Sequence, residues 1–244
     1  MDAQVTELVE RFKAEASRAG AVVYEASSAE DANNYMLKLA QERNVKNAVK
    51  SKSKVADEIK LRKHLEAAGI EVKEADLKEW IAQLAGEKST GRKTIGQVEK
   101  LISKATGKKL NPNPRVLLNA ANRAIRQYCI DADMGISEAD VAIAETGTLV
   151  IVGYEGVTRL VAVLPRIHVT VVNSQNVVSV MEDVIDKLKL LTENMAGQTM
   201  PSYITYITGR NTTADIPGAV LARAQGPAEE HIILVNKAAK RGTA

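Results

Sequence analysis

Residues 140–152 read DVAIAETGTLVIV, two apolar runs joined by Glu145, Thr146, Gly147 and Thr148. So short a connection cannot carry a crossover helix, so the two runs pair antiparallel. That decides the fold class: an α/β chain whose second half holds a mixed sheet. The content of the turn is less usual, because a tight surface hairpin is normally closed by Gly, Asn or Asp. Two readings stay open. In one, the Thr hydroxyls bond the turn backbone and the charges form a rim salt bridge. In the other, Glu145 is a partly desolvated strand-end carboxylate acting as base or nucleophile, clustered with Glu155 and with Arg159, which would grip a substrate carboxylate in bidentate fashion.

Towards the N-terminus the texture differs. A helical pattern over 3–19 stops at Gly20, and AVVYEA (21–26) reads as a buried strand. Ser28, with Asp31 three residues on, opens a helix to about Arg43. NAVKSK (47–52) is the next strand, VADEIKLRKHLEAA (55–68) the next helix with Gly69 as its stop, and IEVKEA (70–75) a third strand. This alternation is the signature of doubly wound parallel units. Residues 77–131 then carry three helical patterns without a strand between them, which predicts a helical insertion or one layer over the sheet. In the last of these, Val116, Leu117, Ala120, Ala121, Ala124, Ile125 and Tyr128 recur at helical spacing and define one buried face.

On the C-terminal side of the quoted stretch, the runs at 159–164 and 167–172 read as further strands. A helix is predicted over 177–191 and strands over 202–208 and 231–236, with residues 209–226 loop-rich. No change of composition marks a linker, so residues 1–244 are read as one domain.

With 244 residues, 45% of them hydrophobic, the chain can bury a full core. Its longest apolar runs fall far short of the roughly 20 residues of a spanning helix, and the N-terminus lacks a basic region followed by an apolar one. No membrane association and a cytoplasmic location are the expectation. A single cysteine, Cys129, excludes an internal disulfide and a self-contained iron–sulfur cluster, so such a cluster would have to come from a partner. The net charge of +3 and 3% aromatic content do not point to nucleic acid, although the stretch from Lys88 to Lys109 is locally basic.

GEKSTGRKT (86–94) is a near miss to the phosphate loop: Arg92 is inserted before Lys93, and a helix rather than a strand precedes it. No G-x-G-x-x-G follows a predicted strand, so a nicotinamide fingerprint is absent. Lys50, Ser51, Lys52 and Ser53 lie where a strand gives way to a helix. There, unpaired amides and the Lys and Ser donors could hold a phosphate or carboxylate. Equally, Ser53 could simply cap the helix while the lysines stay in water. His64 sits mid-helix, and His168 and His231 start strands that could bring them together. No two histidines have metal-ligand spacing, so no metal is expected.

KSKS with the following EI, EADLKEWIAQLAGEKS, DADMGISEADVAIAETGTLVIV, YEGVTRLVAVLPRIHVTVV, GQTMPSYITYITG and GPAEEHIILVN occur in the order and spacing of the lactate-utilisation (LUD) domain family. The resemblance runs from about Val49 to Asn236. It implies the NagB/RpiA/CoA-transferase-like fold: a mixed sheet with flanking helices, as in glucosamine-phosphate isomerases, ribose-phosphate isomerases and CoA transferases. It also implies a part in oxidising lactate to pyruvate beside iron–sulfur redox subunits. The chain departs from the family at KSTGRKTIGQVEK, where a His-containing stretch is usual, and at Tyr154-Glu155-Gly156-Val157, where Asn-Glu-Gly-Asn is common. Cysteine motifs like those of the longer members are absent.

Together, residues and resemblance nominate Glu145 as the catalytic candidate. Lys50, Ser51, Lys52, Ser53, Thr146, Gly147, Glu155, Arg159, His168 and His231 are the candidates for binding a small anionic metabolite. The competing expectations are a non-catalytic scaffold or regulatory subunit, and an isomerase or CoA transferase by analogy of fold.

Overall fold

The computed structural model describes residues 3–87, 91–153, 157–193, 201–210, 212–216, 219–222 and 226–236. The first half follows the predicted alternation: α1 (Ala3–Arg18), β1 (Val22–Ala26), α2 (Ala29–Glu42) and β2 (Asn47–Lys50). Ser28 caps α2, its hydroxyl accepting from the Asp31 amide. The single helix expected over 55–68 is instead two, α3 (Lys54–Glu58) and α4 (Leu61–Ala67). Lys60 between them adopts φ 57°, and the Ile59 carbonyl that the break frees is capped by the buried Asn33 side chain at 2.7 Å. After β3 (Glu71–Glu74) come α5 (Leu77–Ala85), α6 (Ile95–Thr106) and α7 (Pro114–Asp131), the predicted helical stretch. The apolar face assigned to α7 is right for Leu117, Ala121 and Ile125, but Val116 points outward and is exposed.

The second half departs further. β4 (Met134–Ala139) is a full strand ahead of the quoted hairpin, which is β5 (Val141–Ile143) and β6 (Thr148–Gly153). The run expected as a strand over 159–164 is a helix, α8 (Val157–Val163). Val157, Leu160, Val161 and Leu164 recur at helical rather than strand spacing, and all four join the apolar cluster under the helices. β7 (Ile167–Asn173) follows, then β8 (Val177–Val178), where a helix had been expected; α9 begins only later (Asp183–Glu193). β9 (Tyr203–Ile207) matches its prediction. The segment read as loop holds β10 (Thr212–Ile216) and β11 (Ala219–Ala222), paired antiparallel, before β12 (Glu229–Val235).

Six strands form one parallel sheet in the order β1-β12-β7-β4-β2-β3. One face is covered by α2, α3 and α4, which bury Met36, Leu61 and Leu65 against Ile136, Val169 and Ile233. The other face is divided. Beside β2 and β4 it carries the helical layer, with Trp80, Ile102, Ile125 and Val161 around Val49. Beside β7 and β12 it carries α1 and a second, mixed sheet of order β8-β5-β6-β9, with Phe12, Leu149 and Ile151 against Val172 and Leu234. α9 closes the outer side of that sheet on Val141, Ile143 and Val150.

This layout fixes where a ligand crevice can form. β2 runs on into α3 on one face, while its neighbour β4 runs on into β5 on the other. The two chains therefore diverge at the carboxyl ends of adjacent parallel strands, the place where open α/β sheets hold their ligands.

Candidate functional site

Around the carboxyl ends of β2 and its neighbours the side chains that end the strands are buried and bonded to one another. Lys50, the last residue of β2, is only 1% exposed, and its Nζ lies 3.1 Å from Asp57 Oδ1 and 3.2 Å from Glu74 Oε2. Arg62 Nη1 reaches the other oxygen of Glu74 at 3.3 Å. Burial pushes the Glu74 carboxyl above its ordinary value, and Lys50 and Arg62 pull it the other way. Ser51 is buried and its amide donates to the Ile136 carbonyl at 2.9 Å, tying the turn to β4. Ser53 both caps and bridges: its hydroxyl accepts from the Ala56 amide and donates to Glu138 Oε2 at 2.7 Å. The same Glu138 oxygen accepts the Val55 amide at 3.0 Å. Thus the start of α3 does hold a carboxylate, but it is the chain's own. Of the four candidates in this turn, Lys50, Ser51 and Ser53 are engaged internally and Lys52 is exposed.

Asp140 lies just past the end of β4 and is bound to β6. Its Oδ2 accepts the Val152 amide at 2.7 Å, and burial pushes its carboxyl up to about 6, against the pull of that hydrogen bond. A carboxyl with such a value accepts and returns protons near neutrality. Because the folded value exceeds the ordinary 3.8, the fold disfavours the ionised form, and stability is lost as pH rises from about 4 to about 6. Asp140→Asn, which keeps an acceptor for Val152, is therefore expected to melt higher than the parent at pH 7.5 and level with it at pH 4. Melting curves at the two pH values check this.

The histidines do not meet. His168 and His231 lie on neighbouring strands but face opposite sides of the sheet, since His231 pairs with Val169 rather than with His168. His168 is sealed under the divided face. Its Nδ1 lies 2.7 Å from Glu230 Oε2 and its Nε2 2.8 Å from Ser137 Oγ, while Thr170 Oγ1 donates to Glu230 Oε1 at 3.2 Å. The order Ser, His, carboxylate is that of a nucleophilic triad, but all four side chains are buried at 1% exposure or less. A nucleophile that no substrate reaches is a structural bond, and this one ties β4, β7 and β12 together. On the other side, His231 Nδ1 bonds the Tyr35 hydroxyl at 3.1 Å, and its Nε2 lies 3.3 Å from Glu229, itself gripped by Arg43. Burial holds His231 below the ordinary histidine value, with Glu229 opposing. His64 is exposed on α4.

Glu145 is exposed at the tip of the β5/β6 hairpin. Thr146 and Thr148 join hydroxyls at 2.7 Å, and Thr148 continues to Thr208 at 2.8 Å, so the hydroxyls serve the turn. Arg159, exposed on α8, lies over the Tyr203 ring at 5.7 Å, and among the described residues no ion pair joins it to Glu145. Glu155 lies outside the described residues, as does Lys88–Thr90 of the phosphate-loop near miss. No group of three His, Cys, Asp or Glu able to hold a metal occurs among the described residues, and no helix there is long and apolar enough to cross a membrane.

Sequence reasoning therefore reached the β2–α3 turn but missed Glu74 and Glu138, which bond to it, Asp140 past the end of β4, and Ser137 and Glu230 around His168. A signal existed: Glu74 and Glu138 each stand at or next to the end of a strand, where a surface reading needs no acid.

Similar proteins bear on this layout. Lactate utilization protein B of Geobacillus sp. (strain WCH70) is 34% identical over 90% of this chain, and that of Macrococcus caseolyticus 32% over 89%. The chain spans about half the length of these relatives, 46% and 45% respectively. A crystal structure of a DUF162 family protein from Deinococcus radiodurans superposes with a TM-score of 0.51 at 14% identity, covering 95% of this chain and 98% of the other, so the two share the α/β fold. The model of the LUD domain matches residues 9–235, from α1 to the last strand of the parallel sheet, and the chain belongs to the LUD domain family.

Proposed function

We propose that this chain is a component of lactate utilisation that binds a small carboxylate, lactate or pyruvate, in the β2/β4 crevice and works with a separate iron–sulfur protein. The observation that carries the reading is the divergence of β2 and β4 at their carboxyl ends, where the ordered Lys50–Ser53 turn follows one strand and Asp140, its carboxyl pushed up to about 6 by burial, follows the other. The relatives named lactate utilization protein B supply the substrate class. Oxidation of lactate to pyruvate releases two electrons and two protons. In this reading exposed Lys52 attracts the carboxylate, Asp140 takes the hydroxyl proton, the proton from the broken Cα–H bond passes to solvent, and the two electrons leave singly, one to each of two iron–sulfur clusters of the partner. Cys129 suits that division of labour, because it is buried and burial pushes its thiol up to about 12, away from the thiolate that a cluster needs.

A ligand that binds only the folded chain raises its stability, by about 2.7 kcal/mol at a hundred times Kd. Lactate or pyruvate is expected to raise the melting temperature at pH 7, and Lys52→Glu to weaken that shift. A shift with inorganic phosphate alone would move the site to phosphorylated metabolites. No shift with lactate, pyruvate or phosphate would overturn the proposal.

A further inference from the structure

The charge of the chain is unevenly placed. Residues 91–131 hold nine Lys and Arg against Glu99 and Asp131, a net charge of +7, so the remainder of the chain is at −4. Within this segment α7 turns Leu117, Ala121, Ile125 and Cys129 inward. Its opposite side presents Arg115, Asn119, Arg123, Arg126 and Ile130, all exposed, at intervals that keep them in one stripe about 22 Å long. Among the described residues none of the three arginines has a carboxylate within ion-pair distance; the only cation of the segment so paired is Lys93, with Glu87. Ile130 is 49% exposed, and Leu118 and Val116 flank the stripe at 46% and 40%.

Unpaired arginines interleaved with isolated aliphatic side chains are the composition of a protein-binding surface, in which Arg is enriched and Lys depleted. A single-stranded nucleic acid site would need aromatic platforms, and this stripe carries none. We propose that the outer stripe of α7 docks an acidic protein, namely the small electron carrier that the function proposed above requires. Its clustered carboxylates would pair with Arg115, Arg123 and Arg126 in bidentate fashion around an apolar contact at Ile130. The identity of the partner rests on the proposed function; the surface rests on charge and exposure alone.

The test titrates the full chain with a purified acidic ferredoxin carrying two [4Fe–4S] clusters, with duplex DNA, and with phosphatidylglycerol vesicles, at 50 and 300 mM salt. Expected is ferredoxin binding at 50 mM salt, weakened at least tenfold at 300 mM. It should also be weakened at least tenfold in Arg115→Glu/Arg123→Glu/Arg126→Glu, and unchanged in Lys38→Glu/Lys63→Glu on the opposite face of the sheet. The charge-reversed chain must keep the parent's melting temperature, and single reversals replace it if it does not. No ferredoxin binding, binding indifferent to the three arginines, or binding of DNA or vesicles in place of ferredoxin would each overturn the proposal. Because lactate binding is read separately by thermal shift, loss of docking with that shift intact refutes the surface and not the metabolite site.

Discussion

Glu230→Ala is expected to destabilise the fold by about 3–5 kcal/mol, an effect large enough to threaten expression at 37 °C. Glu230 is fully enclosed, and its two oxygens serve His168 Nδ1 and Thr170 Oγ1. Truncation leaves the buried His168 Nδ1 without its partner, takes from Thr170 its shortest bond and opens a cavity under the divided face of the sheet, and each loss costs on the order of 1–3 kcal/mol. Glu230→Gln, which keeps the shape and one acceptor, should cost less than half as much. Ser137→Ala removes only the outermost hydroxyl and should cost about 1 kcal/mol. Equilibrium urea denaturation of the three variants gives the order directly. A Glu230→Ala chain within 1 kcal/mol of the parent would mean that the network does not hold the strands. The network also sets register: Glu230 pairs with His168 and Ser137 with Thr170. A slip of one residue in any of the three strands would turn its polar side chain into the apolar layer beneath α2, α3 and α4.

Which parts of this were legible in the sequence follows from what each element packs against. The hairpin could be read because its apolar residues occupy both of its faces, one against α1 and one against α9, and its connection is short. β4 was missed because one side of it carries only Gly135, Ser137 and Ala139, a weak apolar signal. Gly135 is there because a Cβ would fall 2.0 Å from the Val161 carbonyl of α8, and Ser137 because it bonds His168. α8 was misread because RLVAVL is equally apolar as strand or helix, and only the wider window from Val157 to Leu164 separates them. At the crevice, Lys50–Ser53 was found because strand and helix abut in sequence. Glu74 and Glu138 were not, because parallel crossovers bring them to that turn from residues far along the chain. Nothing local distinguishes Glu138, which caps α3, from Glu145, which is exposed. Similarly, two histidines each opening a strand look alike until the pairing shows them on opposite faces.

Gly147→Ala is the second substitution with a large expected effect, and it bears on the turn in which Glu145 was nominated. Gly147 has φ 64°, a left-handed conformation that costs an L-residue about 1–2 kcal/mol. A Cβ there would also lie 2.1 Å from the backbone nitrogen of Ala16 in α1, a contact that no side-chain rotation relieves. The hairpin would have to lift from α1, disturbing the packing of Phe12 and Ala16 on Leu149 and Ile151. A loss of 3 kcal/mol or more is expected, combining strain with overpacking. Gly69 separates the two terms. Its φ is 84°, yet nothing lies within 4 Å of its Cβ position, so Gly69→Ala pays for conformation alone and should cost about 1 kcal/mol. The difference between the two variants, measured by denaturation under identical conditions, reads the close approach of hairpin to helix. Equal losses would show that the turn demands only a left-handed residue. A larger loss at Gly147 shows that glycine stands there because α1 does, and that Glu145 and Thr146 are carried at the tip of a hairpin whose form is fixed from beneath.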